Sequence, residues 1–133
     1  MLFKILAILT LILSANLLKA NSCFTEKHTI SVVNGLPQGS SPMKVHCASG
    51  NNDMGNRTLT VNKDWTWSFC DNFFVTNTLF FCHLWWGLKN RSFDVYASKW
   101  PVDCPGRFCL WVAKSDGIYF RGRYGLEKQY DWQ

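Results

Sequence analysis

An all-β fold, a small antiparallel β-sandwich of about eight strands stapled by disulfides, is what this sequence predicts, and three observations predict it. Short apolar segments that alternate or run continuously over six to nine residues recur along the chain, with Gly, Pro, Asn and Asp clusters between them. No segment after the first 20 residues carries the 3.6-residue periodicity of an amphipathic helix. Six cysteines, an even set, occur in a chain of 133 residues, the pattern of a small domain that supplements its core with covalent links.

In chain order, residues 1–20 differ from the rest. Lys4 precedes the apolar run Ile5 to Leu13, and small and polar residues follow. This reads as a secretory signal peptide, cut after Ala20 in preference to Ser22, with the mature domain at 21–133. The run is well short of the roughly 20 residues a membrane span needs, so a soluble, secreted, extracellular protein is expected. Without residues 1–20, 12 basic and 9 acidic side chains remain, a net charge of +3. They are scattered, which argues against nucleic acid as partner.

His28 to Val33 alternates with Ile30 and Val32 on one face, a first strand stopped by Asn34-Gly35. Leu36 to Pro42 is a loop by its Pro, Gly and Ser content. Met43 to Ala48 gives a second strand, with Met43, Val45 and Cys47 inward and Lys44 and His46 outward. Ser49 to Asn56 reads as an irregular connection. Thr58 to Val61 and Trp65 to Cys70 then form a hairpin through Asn62-Lys63-Asp64. Trp65, Trp67 and Phe69 face inward, which leaves Cys70 outside. Cys23 lies on a segment with nothing else to anchor it, so Cys23 and Cys70 are expected to pair.

Thr78 to Trp86 holds four aromatics, two leucines and a cysteine in nine residues and reads as the central strand, covered at least partly on both faces. Gly87 to Asn90 turns it into Arg91 to Ala97; Ser98 to Arg107, with two prolines, is a long loop. Phe108 to Ala113 and Ile118 to Phe120 are strands joined at Asp116-Gly117. The segment from Gly122 to Gln133 is a polar tail apart from Leu126, Tyr130 and Trp132.

An ordered set of these residues resembles the plant self-incompatibility S-protein homologue family. The set comprises Val45-His46-Cys47, Asn52 to Gly55, Thr78 to Cys82, Phe93 to Tyr96, Cys104, Cys109, and Trp111 followed by Asp116 to Tyr119. The resemblance runs from about Thr29 to Tyr119. It implies a secreted β-sandwich with two disulfides, from a family whose founding members are stigma-secreted ligands that pollen recognises through a membrane receptor. The family's four cysteines map onto Cys47, Cys82, Cys104 and Cys109, with Cys23 and Cys70 as a separate pair. Four cysteines allow three pairings. Cys104 with Cys109 is sterically allowed; the expected pairs are Cys47 with Cys109 and Cys82 with Cys104, because cross-strand links staple more of the chain. Asn51-Asn52-Asp53 departs from the family, which usually has more aspartates there; a turn shape survives that exchange, a role in binding would be weakened by it.

The residue types needed for catalysis do not assemble into a recognisable pattern. His28, His46 and His83 have no marked nucleophile, G-x-S-x-G and H-E-x-x-H are absent, and the nine carboxylates fall mostly in turns. The reading is no enzyme, no catalytic residue, no cofactor and no metal, since no C-x2-C pair accompanies Cys104-x4-Cys109. Asn56 and Asn90 head N-x-[ST] sequons and are candidate glycosylation sites. The expected function is a monomeric extracellular ligand that binds a cell-surface receptor through the loops 87–91 and 98–107. Lys89, Arg91, Lys99, Trp100 and Arg107 are the candidate contacts. The alternative is a carbohydrate-binding or defence protein acting on cell walls or microbes, for which Trp100 and Trp132 are the free indoles.

Overall fold

The computed structural model describes residues 4–8, 23, 26–71 and 77–133. Residues 4–8 are helical and exposed; the rest of the expected signal segment lies outside the described residues. Among the described residues, no helix is long and apolar enough to cross a membrane.

Nine strands form two packed sheets. They are β1 (Lys27–Asn34), β2 (Met43–Ser49), β3 (Asn52–Leu59), β4 (Asp64–Cys70), β5 (Leu79–Trp86), β6 (Lys89–Ala97), β7 (Phe108–Lys114), β8 (Gly117–Gly122) and β9 (Gly125–Tyr130). One sheet has the order β4-β1-β7-β8-β9 and the other β3-β2-β5-β6. All pairings are antiparallel except β1 with β7, where Ile30 lies opposite Cys109 and Val32 opposite Trp111.

The period-2 pattern explains which side of each strand is dry. Ile30, Val32, Trp65, Cys109, Trp111, Ala113 and Ile118 from one sheet meet Met43, Val45, Cys47, Leu59, Cys82, Leu84, Phe93 and Val95 from the other. The Trp111 indole N–H reaches across to donate to the Val95 carbonyl at 3.0 Å, which satisfies its polar edge inside the core. Two backbone bonds between Asn90 and Gln133, each 2.9 Å, join the segment after β9 to the edge of β6 and so link the two sheets.

The structure corrects the sequence reading at four places. Asn52 to Asn56 is not an irregular connection: it opens β3, which pairs with β2. The hairpin expected from Thr58 to Cys70 does not form, because β3 and β4 belong to different sheets and the chain crosses between them at residues 60–63. Leu59 and Trp65 are both buried because each sheet turns one of them into the core between the two. The polar tail contains β9, an edge strand with few buried side chains. The central strand is covered by a second sheet on one face only; on the other, Leu79 and Phe81 are exposed and His83 and Trp85 half-buried.

The disulfides are Cys23–Cys70, Cys47–Cys82 and Cys104–Cys109. The expected pairs Cys47 with Cys109 and Cys82 with Cys104 are therefore not the ones present. Register decides this: Cys47 lies directly opposite Cys82 on the neighbouring strand, at a Cα separation of 4.1 Å, within the reach of a disulfide. Cys109 belongs to the other sheet, and the turn Pro105–Arg107, with Gly106 and Arg107 both at positive φ, folds Cys104 back to it.

Candidate functional site

The connections gather at two ends of the sandwich. One end holds the start of β1 and β7 and the ends of β4 and β6, with residues 71 and 77–78 and the segment 98–107. The opposite end holds the segments 35–42 and 60–63 and the hairpin turns at 87–88 and 115–116. The two candidate loops are thus separated by the length of β6, about 30 Å at the usual strand rise, and form no common surface.

At the first end the long loop 98–107 is pinned at several points. Ser98 exchanges backbone and hydroxyl hydrogen bonds with Thr78 at 2.9 to 3.2 Å. The Tyr96 hydroxyl donates to Asp71 at 2.6 Å, and burial together with that carboxylate pushes the phenol pKa well above its ordinary value. His28, 2% exposed, places Nε2 at 3.0 Å from both carboxylate oxygens of Asp103, while Nδ1 faces the Glu26 carbonyl at 3.3 Å. Phe69 and Tyr96 pack around the imidazole at 5.6 and 5.0 Å between ring centres.

The donor atoms of Glu26, His28 and Asp103 lie within 4.8 Å of one another, a spacing that suits a cation. His28 Nε2, however, is already engaged by Asp103, the arrangement of a clamp between β1 and the loop. No hydroxyl or thiol meets either imidazole nitrogen among the described residues, so the nucleophile of a hydrolytic triad is missing.

The predicted contact residues divide. Lys99 and Arg107 are exposed on the pinned loop, beside Val102 at 77% exposure. Trp100 is instead packed against the core beside Tyr96, 5.9 Å between ring centres. Lys89 is exposed at the other end, its ammonium 5.4 Å from the Trp86 ring centre. Arg91 is a strand residue with a structural duty: its guanidinium covers Tyr130 at 4.8 Å, and its Nε is buried without a hydrogen-bond partner among the described residues. Trp132 is not free either, since it packs on the core and donates to the Lys114 carbonyl at 2.8 Å.

Sequence reasoning overlooked the outer face of the four-stranded sheet. Register puts Thr58, Lys44, Trp85 and Asn90 in one row there, and Asn56, His46, His83 and Ser92 in the next. His83 stacks on Trp85 at 3.8 Å and its Nε2 lies 2.9 Å from the Asn90 Oδ1. His46 meets Asp53 at 2.7 Å; the Gly55 amide and then His46 hold the Asp53 carboxyl below its ordinary pKa. Both sequon asparagines, Asn56 and Asn90, lie on this face. The double-sided apolar run of β5 was the available signal.

The family model described as plant self-incompatibility protein S1 matches residues 29–132. S-protein homolog 2 of Arabidopsis thaliana is 35% identical over 102 residues, covering 73% of this chain and 62% of that protein. S-protein homolog 21 of the same plant is 37% identical over 101 residues, covering 73% of this chain and 75% of its own length. Self-incompatibility protein S1 of Papaver rhoeas is 32% identical over 127 residues, with 92% and 86% covered. No solved structure gives a significant match.

Proposed function

The chain belongs to the plant self-incompatibility protein S1 family, and from that premise we propose that it is a secreted signalling ligand that binds a cell-surface receptor in cell-cell recognition. It acts by binding, without catalysis, and as a monomer. The observation that supports this most is the loop 98–107. It is held at Ser98, at Asp103 and at the Cys104–Cys109 bridge, yet turns Lys99, Val102 and Arg107 to solvent. A loop ordered before binding loses little entropy on docking, so a few exposed contacts suffice for affinity. Secretion from a signal peptide at residues 1–20 and glycans at Asn56 and Asn90 complete the proposal.

The test is chemical cross-linking of the oxidised, singly labelled protein to plasma membranes from the source plant's tissues, with unlabelled protein as competitor. Saturable capture of one membrane protein, weakened at least tenfold by Lys99→Glu with Arg107→Glu, is the expected result. Non-saturable labelling, or capture indifferent to both charge reversals, would refute the ligand role of this loop.

A further inference from the structure

The outer face of the four-stranded sheet carries a shallow hollow of about 870 Å³ beside the second end of the sandwich. Its floor and walls include Trp85, Lys44, Arg57, Thr58, Ser41 and Asn56. We propose that this hollow binds an acidic polysaccharide whose sugar units carry carboxylates, a polyuronate of the cell-wall type. The inference is independent of the receptor reading, which concerns the opposite end of the molecule.

Three observations carry it. First, β3, β2 and β5 are adjacent, and their register sets Thr58, Lys44 and Trp85 side by side on one face, so a hydroxyl, an ammonium and an indole form a single row. Second, the indole is held in place: His83 stacks on it with an interplanar angle of 15°, and the hollow, which His83 does not line, borders it from elsewhere. A pyranose ring presents one face of C–H groups, and an immobilised aromatic ring is what such a face packs against.

Third, the charge is one-sided. The lining holds two cations and no carboxylate. Lys44 is exposed on this face and has no ion pair among the described residues; Arg57, opposite the inward Val45 in register, turns its guanidinium to the Trp65 ring at 4.6 Å and adds positive charge from the rim at the edge strand β3. Ser41, Thr58 and Asn56 add hydrogen-bonding groups suited to sugar hydroxyls. The outer face of the other sheet differs in kind where β1 meets β4: there Thr29 pairs with Ser68 and Ser31 with Thr66, hydroxyl to hydroxyl. One cation in a hydroxyl-lined hollow, with a second at its rim, fits a carboxylated sugar better than a nucleic acid, which would need a longer basic track.

A glycan on Asn56 would stand in the mouth of the hollow, so the site belongs to molecules that lack it, and the test uses protein made in a host that adds no N-glycans, oxidised and with its three bridges intact; amidase removal of a glycan would turn Asn56 into an aspartate inside the hollow. Tryptophan fluorescence is titrated with a galacturonic-acid oligomer, with the same oligomer fully methyl-esterified, and with single-stranded DNA of similar charge. Saturable quenching by the free acid is expected, at least tenfold weaker for the ester and reduced as salt rises. Lys44→Glu should weaken it about tenfold and Trp85→Ala should abolish it. Far-UV circular dichroism controls for the fold of both variants, and Trp85→Phe, which keeps a ring, should retain part of the affinity. No quenching, equal binding of acid and ester, tighter binding of DNA, or affinity unchanged in Lys44→Glu would each overturn the proposal.

Discussion

The two ends of the sandwich are closed by different means. At the end where β1 begins, Cys23–Cys70 and Cys104–Cys109 tie down long connections covalently, and the Asp71, Tyr96, His28 and Asp103 contacts fill the space between them. At the other end no disulfide is present among the described residues, and one buried side chain does comparable work. Asn34, 0% exposed, donates its backbone N–H to Lys63 and accepts from the Asn62 N–H. Its carboxamide donates to the Leu59 carbonyl at 2.8 Å and accepts from the Leu36 N–H at 3.0 Å. Long loops have many conformations to lose and gain most from cross-links, whereas a compact crossing between sheets can be fixed by satisfying its few backbone groups.

This contrast can be broken from either side. Replacing Cys23 and Cys70 together by alanine opens a link spanning 47 residues and should cost about 4 kcal/mol, read as a lower urea midpoint. Asn34→Ala leaves the Leu59 carbonyl and the Leu36 amide buried without partners and should cost about 3 kcal/mol in the same assay, although it removes no covalent bond. Loss of that ranking, with Asn34→Ala costing less than 1 kcal/mol, would mean the second end is held by packing alone. Cys104→Ala with Cys109→Ala opens a link of only 5 residues and should cost about 2 kcal/mol, with the larger consequence in weaker membrane capture.

The smallest effect sharpens the comparison by pH. The Tyr96 phenol has its pKa raised in the folded state, so it contributes stability that is complete below the unfolded value near 10 and is lost as pH rises from there towards the folded value. Tyr96→Phe should cost about 1 kcal/mol at pH 8 through the lost bond to Asp71. It should also flatten the decline in thermal stability above pH 10. An unchanged alkaline decline in the variant would assign that decline to other groups.

How much of this was legible in the sequence follows from burial. Strands with one dry face, such as Met43–Ser49 and Asp64–Cys70, show their alternation plainly. The opening of β3 and the whole of β9 did not, and both are sheet edges: each has a single neighbour and mostly exposed side chains, so no apolar period marks them. Cysteine pairing was misjudged because loop-closure entropy ranks links by length, while the bond forms between residues that register brings within reach. The surface tryptophans were misassigned for a related reason. Trp100 and Trp132 lie in polar stretches and look free, but each folds back onto the core; Trp85 lies in the apolar run of the central strand and borders solvent.

The parallel pairing of β1 with β7 fixes an order of assembly during synthesis. Every strand of the four-stranded sheet lies between residues 43 and 97, and Cys82 meets Cys47 within it, so that sheet and its bridge can close before Cys104 has been made. Chains truncated at residue 100 should already carry the Cys47–Cys82 link when examined by non-reducing mass analysis. β1 has a different history. It can zip onto β4 early, but its second edge stays open until residues 108–114 arrive, so the strand translated first in the domain keeps an open edge until most of the domain has been made. Until then an unpaired edge faces its surroundings, and it is at this stage that a newborn chain is most exposed to capture by another copy or by a chaperone.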